Sequence, residues 1–194
     1  CRWWWMPDRA RTGPRRIDLR RYSDSELPFC DAIAAGLLGD PEFRRWFCGG
    51  HPFADDLARG LPDAEAARRR RKVPAGDRWW FNLWSGSGPG IESDILMVFA
   101  TPAGRRLALH VEVKDVHGRL SPGQAEGYAR RVLSWADPAT RPRTVPPHEA
   151  ALAVLVCGGE AAADPAASLF AVVHRHEDLR PRLPGYPAPT PGRS

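Results

Sequence analysis

Asp94, Glu112 and Lys114 are spaced so that a single β-hairpin would carry all three to one polar face. Directly opposed residues of an antiparallel pair have Cβ atoms roughly 4.5–5.5 Å apart, so two carboxylates there repel unless a cation lies between them. Hard oxygen donors on a rigid sheet suit Mg²⁺ or Mn²⁺, which keep several waters and recruit phosphate oxygens as further ligands. A lysine alongside would orient or deprotonate the attacking water and offset charge on a phosphorane. The chemistry in prospect is metal-dependent hydrolysis of a phosphodiester.

Lysine at this spot is informative, because the chain holds 28 basic residues of which only Lys72 and Lys114 are lysines. A compact ammonium whose pKa can fall suits water activation better than a guanidinium does. The competing reading is structural: Glu92 with Lys114 as an ordinary cross-strand ion pair, and Asp94 as the start of a strand at a solvated edge.

The positioning element is legible. Glu92 to Ala100 and Arg105 to Lys114 flank Thr101-Pro-Ala-Gly104, in which proline presets the first turn and glycine takes the left-handed position of a three-residue loop. With Thr101 facing Arg105, Ile95 opposes Val111, Met97 opposes Leu109 and Phe99 opposes Leu107, all apolar on one face. The other face then holds Glu92 with Lys114, Asp94 with Glu112, Leu96 with His110, and Val98 with Ala108. A two-residue loop would scatter the charges over both faces and is rejected.

A helix follows from Ser121 to Trp135, with Ser121 expected as N-cap, Pro122 at the first position and Gln124 completing a capping box. Gln124, Tyr128 and Arg131 form one stripe, and Ala125, Ala129, Val132 and Leu133 are expected to supply apolar packing.

Asp94, then Glu112-Val-Lys114, then Gln124-x-x-x-Tyr128 together resemble the PD-(D/E)XK nuclease superfamily, in particular its RecB-type and lambda exonuclease-like branch with a Q-x-x-x-Y helix motif. The resemblance covers roughly residues 80 to 135. It implies that Asp94 and Glu112 bind one or two divalent metals, with the Val113 backbone carbonyl joining the shell. It further implies that Lys114 handles water and that Gln124 and Tyr128 line the site or touch the nucleic-acid backbone. First helices of such folds often donate a glutamate, which makes Glu26 a candidate; the helix dipole would favour a carboxylate there whatever the function. Where many RecB-type members have a glycine and an isoleucine before the aspartate, this chain has Glu92 and Ser93, so Glu92 is either an extra ligand or only a partner for Lys114. Some relatives hold an iron–sulfur cluster with one upstream cysteine and a downstream trio. Here Cys1, Cys30 and Cys48 precede the site and only Cys157 follows it, so no cluster is expected and the cysteines read as buried apolar thiols.

Around this centre, 194 residues with 43% hydrophobic content and a formal charge of +5 suit one modest domain, and a polyanionic partner. Residues 1–22, with Trp3-Trp4-Trp5, read as an irregular tail; 23–179 as the nuclease-like domain; 180–194, with five prolines, as a disordered tail. A helix is expected from Ser25 to Gly39 and a second, capped by Asp40, from Pro41 to Phe47. Residues 49–62, with His51 and Asp55-Asp56, read as loop. The helix Asp63–Lys72 ends in Arg68, Arg69, Arg70, Arg71 and Lys72, a run that is either a solvated helix end or, with Arg131, a grip on phosphates.

Trp79 to Trp84 reads as a strand and 85–90 as a loop; the latter lacks the lysine and helix of a P-loop, so no nucleotide cofactor is expected. Strands are expected at Ala151–Cys157, parallel to the Glu112 strand, and at Leu169–His174, with His174 and His176 exposed at its end. No apolar stretch is long enough to span a membrane, and no secretory segment is read, so cytoplasmic localisation is expected.

The expected fold is thus α/β with a restriction-endonuclease-like core: a mixed central sheet whose antiparallel catalytic hairpin is flanked by helices. The expected activity is that of a Mg²⁺- or Mn²⁺-dependent deoxyribonuclease acting on DNA, with RNA also open. The alternatives are a catalytically silent nucleic-acid-binding module of that fold and a metal-dependent hydrolase with another substrate. Exonuclease against endonuclease action, protein partners and oligomeric state are not written in these residues, nor is any role of His110 in the site.

Overall fold

The computed structural model describes residues 25–74, 76–81 and 92–188. The expected N-terminal tail with its tryptophans, the 82–91 segment and the last six residues lie outside the described part.

In chain order the elements are α1 (Leu27–Gly39), α2 (Pro41–Phe47), α3 (Ala54–Arg59), β1 (Leu61–Pro62), α4 (Ala64–Arg71), β2 (Ile95–Ala100), β3 (Arg106–Val113), α5 (Gln124–Ser134), β4 (Ala150–Cys157), α6 (Gly159–Ala162), a 3₁₀ turn (Pro165–Leu169), β5 (Val172–Arg175) and α7 (His176–Leu179). One sheet runs β1-β2-β3-β4-β5. Its first two pairings are antiparallel and its last two parallel, so it is a mixed five-stranded sheet flanked by helices.

The β2–β3 register is the one that the apolar pairs demand: Ile95 faces Val111, Met97 faces Leu109 and Phe99 faces Leu107. The turn closes through Thr101 N–H to Arg105 O at 2.8 Å and Gly104 N–H to Thr101 O at 2.9 Å. Gly104 has φ 79°, a value that would strain any residue with a Cβ. β4 lies parallel to β3 after the α5 crossover.

Both faces of the sheet are covered. The odd-numbered side chains of β2 and β3 join Phe29, Ile33 and Leu37 of α1 and Phe43 and Phe47 of α2 in the main core. On the other face Tyr128 of α5 packs with Leu155 and Phe170, and Trp135 packs with Leu96, Val98 and Ala108. Fully burying one such side chain contributes roughly 1.5–3 kcal/mol, so the two layers supply most of the drive to fold. The polar face of the hairpin is therefore polar only at the end that carries Asp94 and Glu112.

Several expectations change. Residues 54–59 form α3 and 61–62 pair with β2, where a continuous loop was expected. Such short elements carry little signal of their own, because helix nucleation is costly and tertiary packing has to sustain them. Trp79, Trp80 and Phe81 are buried, yet they lie in a turn and not in a strand. Trp80 O accepts from Leu96 N–H at 2.8 Å at the edge of β2. The strand expected from Leu169 starts at Val172, after the 3₁₀ turn.

Residues 180–188, expected to belong to a disordered tail, instead fold back: Leu183 and Tyr186 are buried in the main core. Leu133, expected to pack, is exposed on α5. Among the described residues no helix is long and apolar enough to cross a membrane.

Candidate active site

β2–β3 pairing continues to Ile95 and Val111, and one residue further along stand Asp94 and Glu112. Asp94 keeps the two strands together beyond that pair by accepting from Val113 N–H with Oδ2 at 2.7 Å. Both carboxylates are buried, at 7% and 2% exposure. Burial, and after it the Glu112 charge, pushes the Asp94 carboxyl well above the usual carboxylate range. Two acidic groups forced together out of water form a place where a cation is electrostatically favoured.

Lys114 stands just past the end of β3, with Nζ 2.6 Å from Glu112 Oε1. Burial alone would pull its ammonium down, but the Glu112 contact, with Glu26 and Asp94 behind it, holds it above its ordinary value. In this arrangement the lysine stays charged, opposite to the fall that the residue type allowed.

α5 closes the other side. Gln124 Nε2 donates to the same Glu112 Oε1, while its Oε1 accepts from Ser121 N–H at 3.0 Å. Ser121 is not the N-cap: the helix starts at Gln124 after Gly123, which has φ 77°. The expected reach of Gln124 back to the Ser121 backbone is nonetheless made. Tyr128 is fully buried, its hydroxyl 3.2 Å from Val111 O, and burial followed by Glu112 pushes its phenol well up. Arg131 lies with its guanidinium carbon 4.0 Å from the Tyr128 ring centre and donates through NH2 to Glu92 O at 2.8 Å. The Gln124-Tyr128-Arg131 stripe thus faces the sheet.

Glu26 is the N-cap residue of α1, at the positive end of the helix dipole, and its side chain makes no capping hydrogen bond to that helix. Its charge also acts on Asp94 and Lys114. Ser25 Oγ donates to Asp115 Oδ2 at 3.1 Å, which ties the start of α1 to the turn after Lys114. Cys30 is buried on the same helix, its thiol pushed well up by burial and then by Asp94, Glu26 and Glu112. With Cys48 and Cys157 it is a free buried thiol.

The basic run at the end of α4 is divided among local tasks. Arg69 pairs with Glu65 at 2.7 Å and Arg70 donates to Arg143 O at 2.9 Å. Arg71 is turned inward to Phe81 O at 3.1 Å and to Trp79 O. Arg68 reaches back to Ala64 O at 3.4 Å, and Lys72, which ends the helix at φ 55°, is exposed. Arg131 is buried at 4% exposure, so it is not an exposed phosphate contact.

His110 faces the Trp135 ring at 5.3 Å and the His148 ring at 6.1 Å. Its Nδ1 lies 3.3 Å from Ser93 Oγ, and burial keeps its imidazole well below the ordinary range. It lies in the apolar layer behind the carboxylates.

His174 and His176, expected at an exposed strand end, are buried at 7% and 2% exposure. His174 Nε2 lies 2.9 Å from Phe47 O, and His176 Nε2 lies 2.7 Å from Lys114 O. Sequence patterning gave no sign of this, because their partners are 127 and 62 residues away. Arg44 was missed in the same way: it is buried and donates to Leu37 O at 2.7 Å and Ala58 O at 2.8 Å, joining α1 to α3.

Among the described residues no group of three or more His, Cys, Asp or Glu side chains forms a ready ion cage. The donor set that is present, two buried carboxylates beside backbone carbonyls, nevertheless has the chemistry of a hard divalent cation that retains water. Compared with models of protein families, with curated proteins and with solved structures, the chain matches none.

Proposed function

We propose that this protein is a metal-dependent nuclease of the PD-(D/E)XK type, with a restriction-endonuclease-like core, that hydrolyses phosphodiester bonds, most readily in DNA. The observation that carries the reading is the meeting of Asp94, Glu112 and Lys114 at one end of the β2–β3 hairpin, with Gln124 bonded to the same Glu112 oxygen that Lys114 engages. A purely structural reading accounts for one Asp94 oxygen through Val113 N–H, but two carboxylates buried side by side beside one ammonium are better explained by a cation between them.

Asp94, Glu112 and the Val113 carbonyl would hold Mg²⁺ or Mn²⁺, with Glu26 the next acidic group in reach; when bound, such an ion supplies Lewis acidity and an acidified water. Lys114 would orient the attacking water and offset charge that builds up on the phosphate. Gln124 fixes the Glu112 carboxylate against β3, and Tyr128 fills the wall behind it. A cytoplasmic setting, where nucleic acid is at hand, fits this reading.

The test is incubation of the purified protein with linear, circular and single-stranded DNA and with RNA, in Mg²⁺, Mn²⁺ or EDTA. Cleavage that requires the metal, and that disappears in Glu112→Gln, is expected. Binding of nucleic acid without cleavage would identify a silent module instead, and absence of both would point to another substrate.

A further inference from the structure

We infer that His176 is a positioning residue for Lys114, acting from the C-terminal segment of the chain. The inference rests on the reading of Lys114 as the cation of the site. It concerns a residue that touches neither the proposed metal nor the phosphate.

β3 ends at Val113, so Lys114 stands where the regular ladder no longer holds both of its backbone polar groups. Its N–H still donates to Val156 O at 2.8 Å on β4. Its carbonyl is held from elsewhere, by His176 Nε2 at 2.7 Å.

A carbonyl oxygen only accepts, so Nε2 carries the ring proton, and Nδ1 is left to accept from the Tyr186 hydroxyl at 2.8 Å. The Lys114 carbonyl thus fixes the proton on Nε2, and the Tyr186 hydroxyl supports that neutral tautomer by donating to the bare Nδ1. Phe29 of α1 lies 4.4 Å from the His176 ring and 5.4 Å from the Tyr186 ring, which locks the imidazole in plane and direction.

The path from Tyr186 through His176 to Lys114 is therefore continuous and largely enclosed. A lysine side chain magnifies small movements at its root. Displacement of a reacting group by about 1 Å can cost on the order of 10²-fold in rate. Fixing the Lys114 peptide at both its N–H and its C=O leaves only side-chain torsions to be set by Glu112. Residues 176–186 thereby become part of the machinery and not a tail.

The test exploits the presence of only two lysines in the chain. In protein labelled with ¹³C at lysine, Lys72 at the exposed end of α4 serves as an internal control for Lys114. His176→Leu removes the donor, His176→Gln restores an N–H of similar reach, and Tyr186→Phe removes only the hydroxyl that steadies the ring through Nδ1. In folded His176→Leu the Lys114 signal is expected to move and broaden while Lys72 stays. The kcat for metal-dependent cleavage is expected to fall roughly 10–100-fold with KM nearly unchanged, the scale typical of partners behind an active group. His176→Gln should return the Lys114 signal and most of kcat. Tyr186→Phe should move the Lys114 signal in the same direction by less, and it carries the test if His176→Leu does not fold.

An unmoved Lys114 signal in the folded variants, or a His176→Gln that recovers thermal stability without recovering the signal, would overturn the inference. If the unmodified protein does not cleave nucleic acid, the nuclease reading fails, and the Lys114 signal alone still decides the role of His176.

Discussion

Lys114 Nζ and Glu112 Oε1 lie 2.6 Å apart, with side-chain exposures of 14% and 3%, so the two ends of the Glu-x-Lys triplet form a buried ion pair within one strand end. Because a strand alternates its side chains, residues two apart share a face. Removal of one partner from such a pair leaves the other charge stranded, at a typical cost of about 3–5 kcal/mol. Lys114→Ala is therefore expected to lower both thermal stability and cleavage, the latter by about 10²-fold or more. Lys114→Arg should keep the charge and much of the stability but not the rate, because a planar fork cannot occupy the place of a compact ammonium. Full activity in Lys114→Ala would remove its assigned role.

Asp94 is held differently, by burial beside Glu112 and one backbone N–H. An amide at this position keeps an acceptor for Val113 N–H and relieves the like-charge repulsion. Asp94→Asn is thus expected to unfold at the same or a higher temperature in EDTA, while losing Mg²⁺ binding by calorimetry and about 10²-fold or more in cleavage. Retained metal binding would show that the ion sits elsewhere.

Gln124 joins Glu112 to the Ser121 backbone through the two ends of one amide. Gln124→Ala frees the carboxylate to rotate without changing its charge. Metal affinity, read by titration calorimetry, is expected to weaken about 10–100-fold while thermal stability changes little. Gln124→Glu, which sets a carboxylate against a carboxylate, should be the more damaging change in EDTA.

Acid should weaken the fold through its histidines. Burial is the leading cause that holds the imidazoles of His110, His148, His174 and His176 below their ordinary value. The unfolded chain takes up these protons near pH 6.5, and the folded chain only at lower pH. As pH falls below about 6.5 the unfolded state binds more protons and is favoured. Asp94 acts with the opposite sign, since its raised carboxyl pKa gives stability that is lost as pH rises. The measurement therefore belongs in Asp94→Asn with EDTA, where Tm is expected to fall steadily from about pH 7 to about pH 5. A flat Tm over that range would refute the neutral assignment.

Gly158, at the exit of β4, supports the turn after Lys114 at very close range. A Cβ there would stand 1.9 Å from Val116 O and 2.7 Å from its carbonyl carbon, both backbone atoms that cannot swing aside. Gly158→Ala is expected to destabilise the protein by about 1–3 kcal/mol in denaturant melts and to reduce cleavage, because the displaced peptide is two residues from Lys114. An unchanged melt would mean that the two loops separate freely.

The hairpin was legible in the residues themselves. A period of two, a proline and a glycine in the turn, and apolar pairs on one face leave one register, and that register brings Asp94 to Glu112. Asp40 as the cap of α2 was readable for the same reason: hydrogen bonds over two or three residues are written locally. The stripe of Gln124, Tyr128 and Arg131 was readable as a face, but which partner that face meets was not.

Tertiary structure alone decided the rest. Whether an arginine at the end of α4 faces solvent or turns to Phe81 O depends on where distant chain lies, and so does the burial of Arg44, His174 and His176. Proline-rich composition suggested that the segment after Leu179 lacks structure, yet Leu183 and Tyr186 find a surface on α1 and the core. A local pattern states what a segment can present. The long-range contact that buries it, and the hydrogen bond that burial then requires, arise only when the sheet and its two helical layers have closed around it.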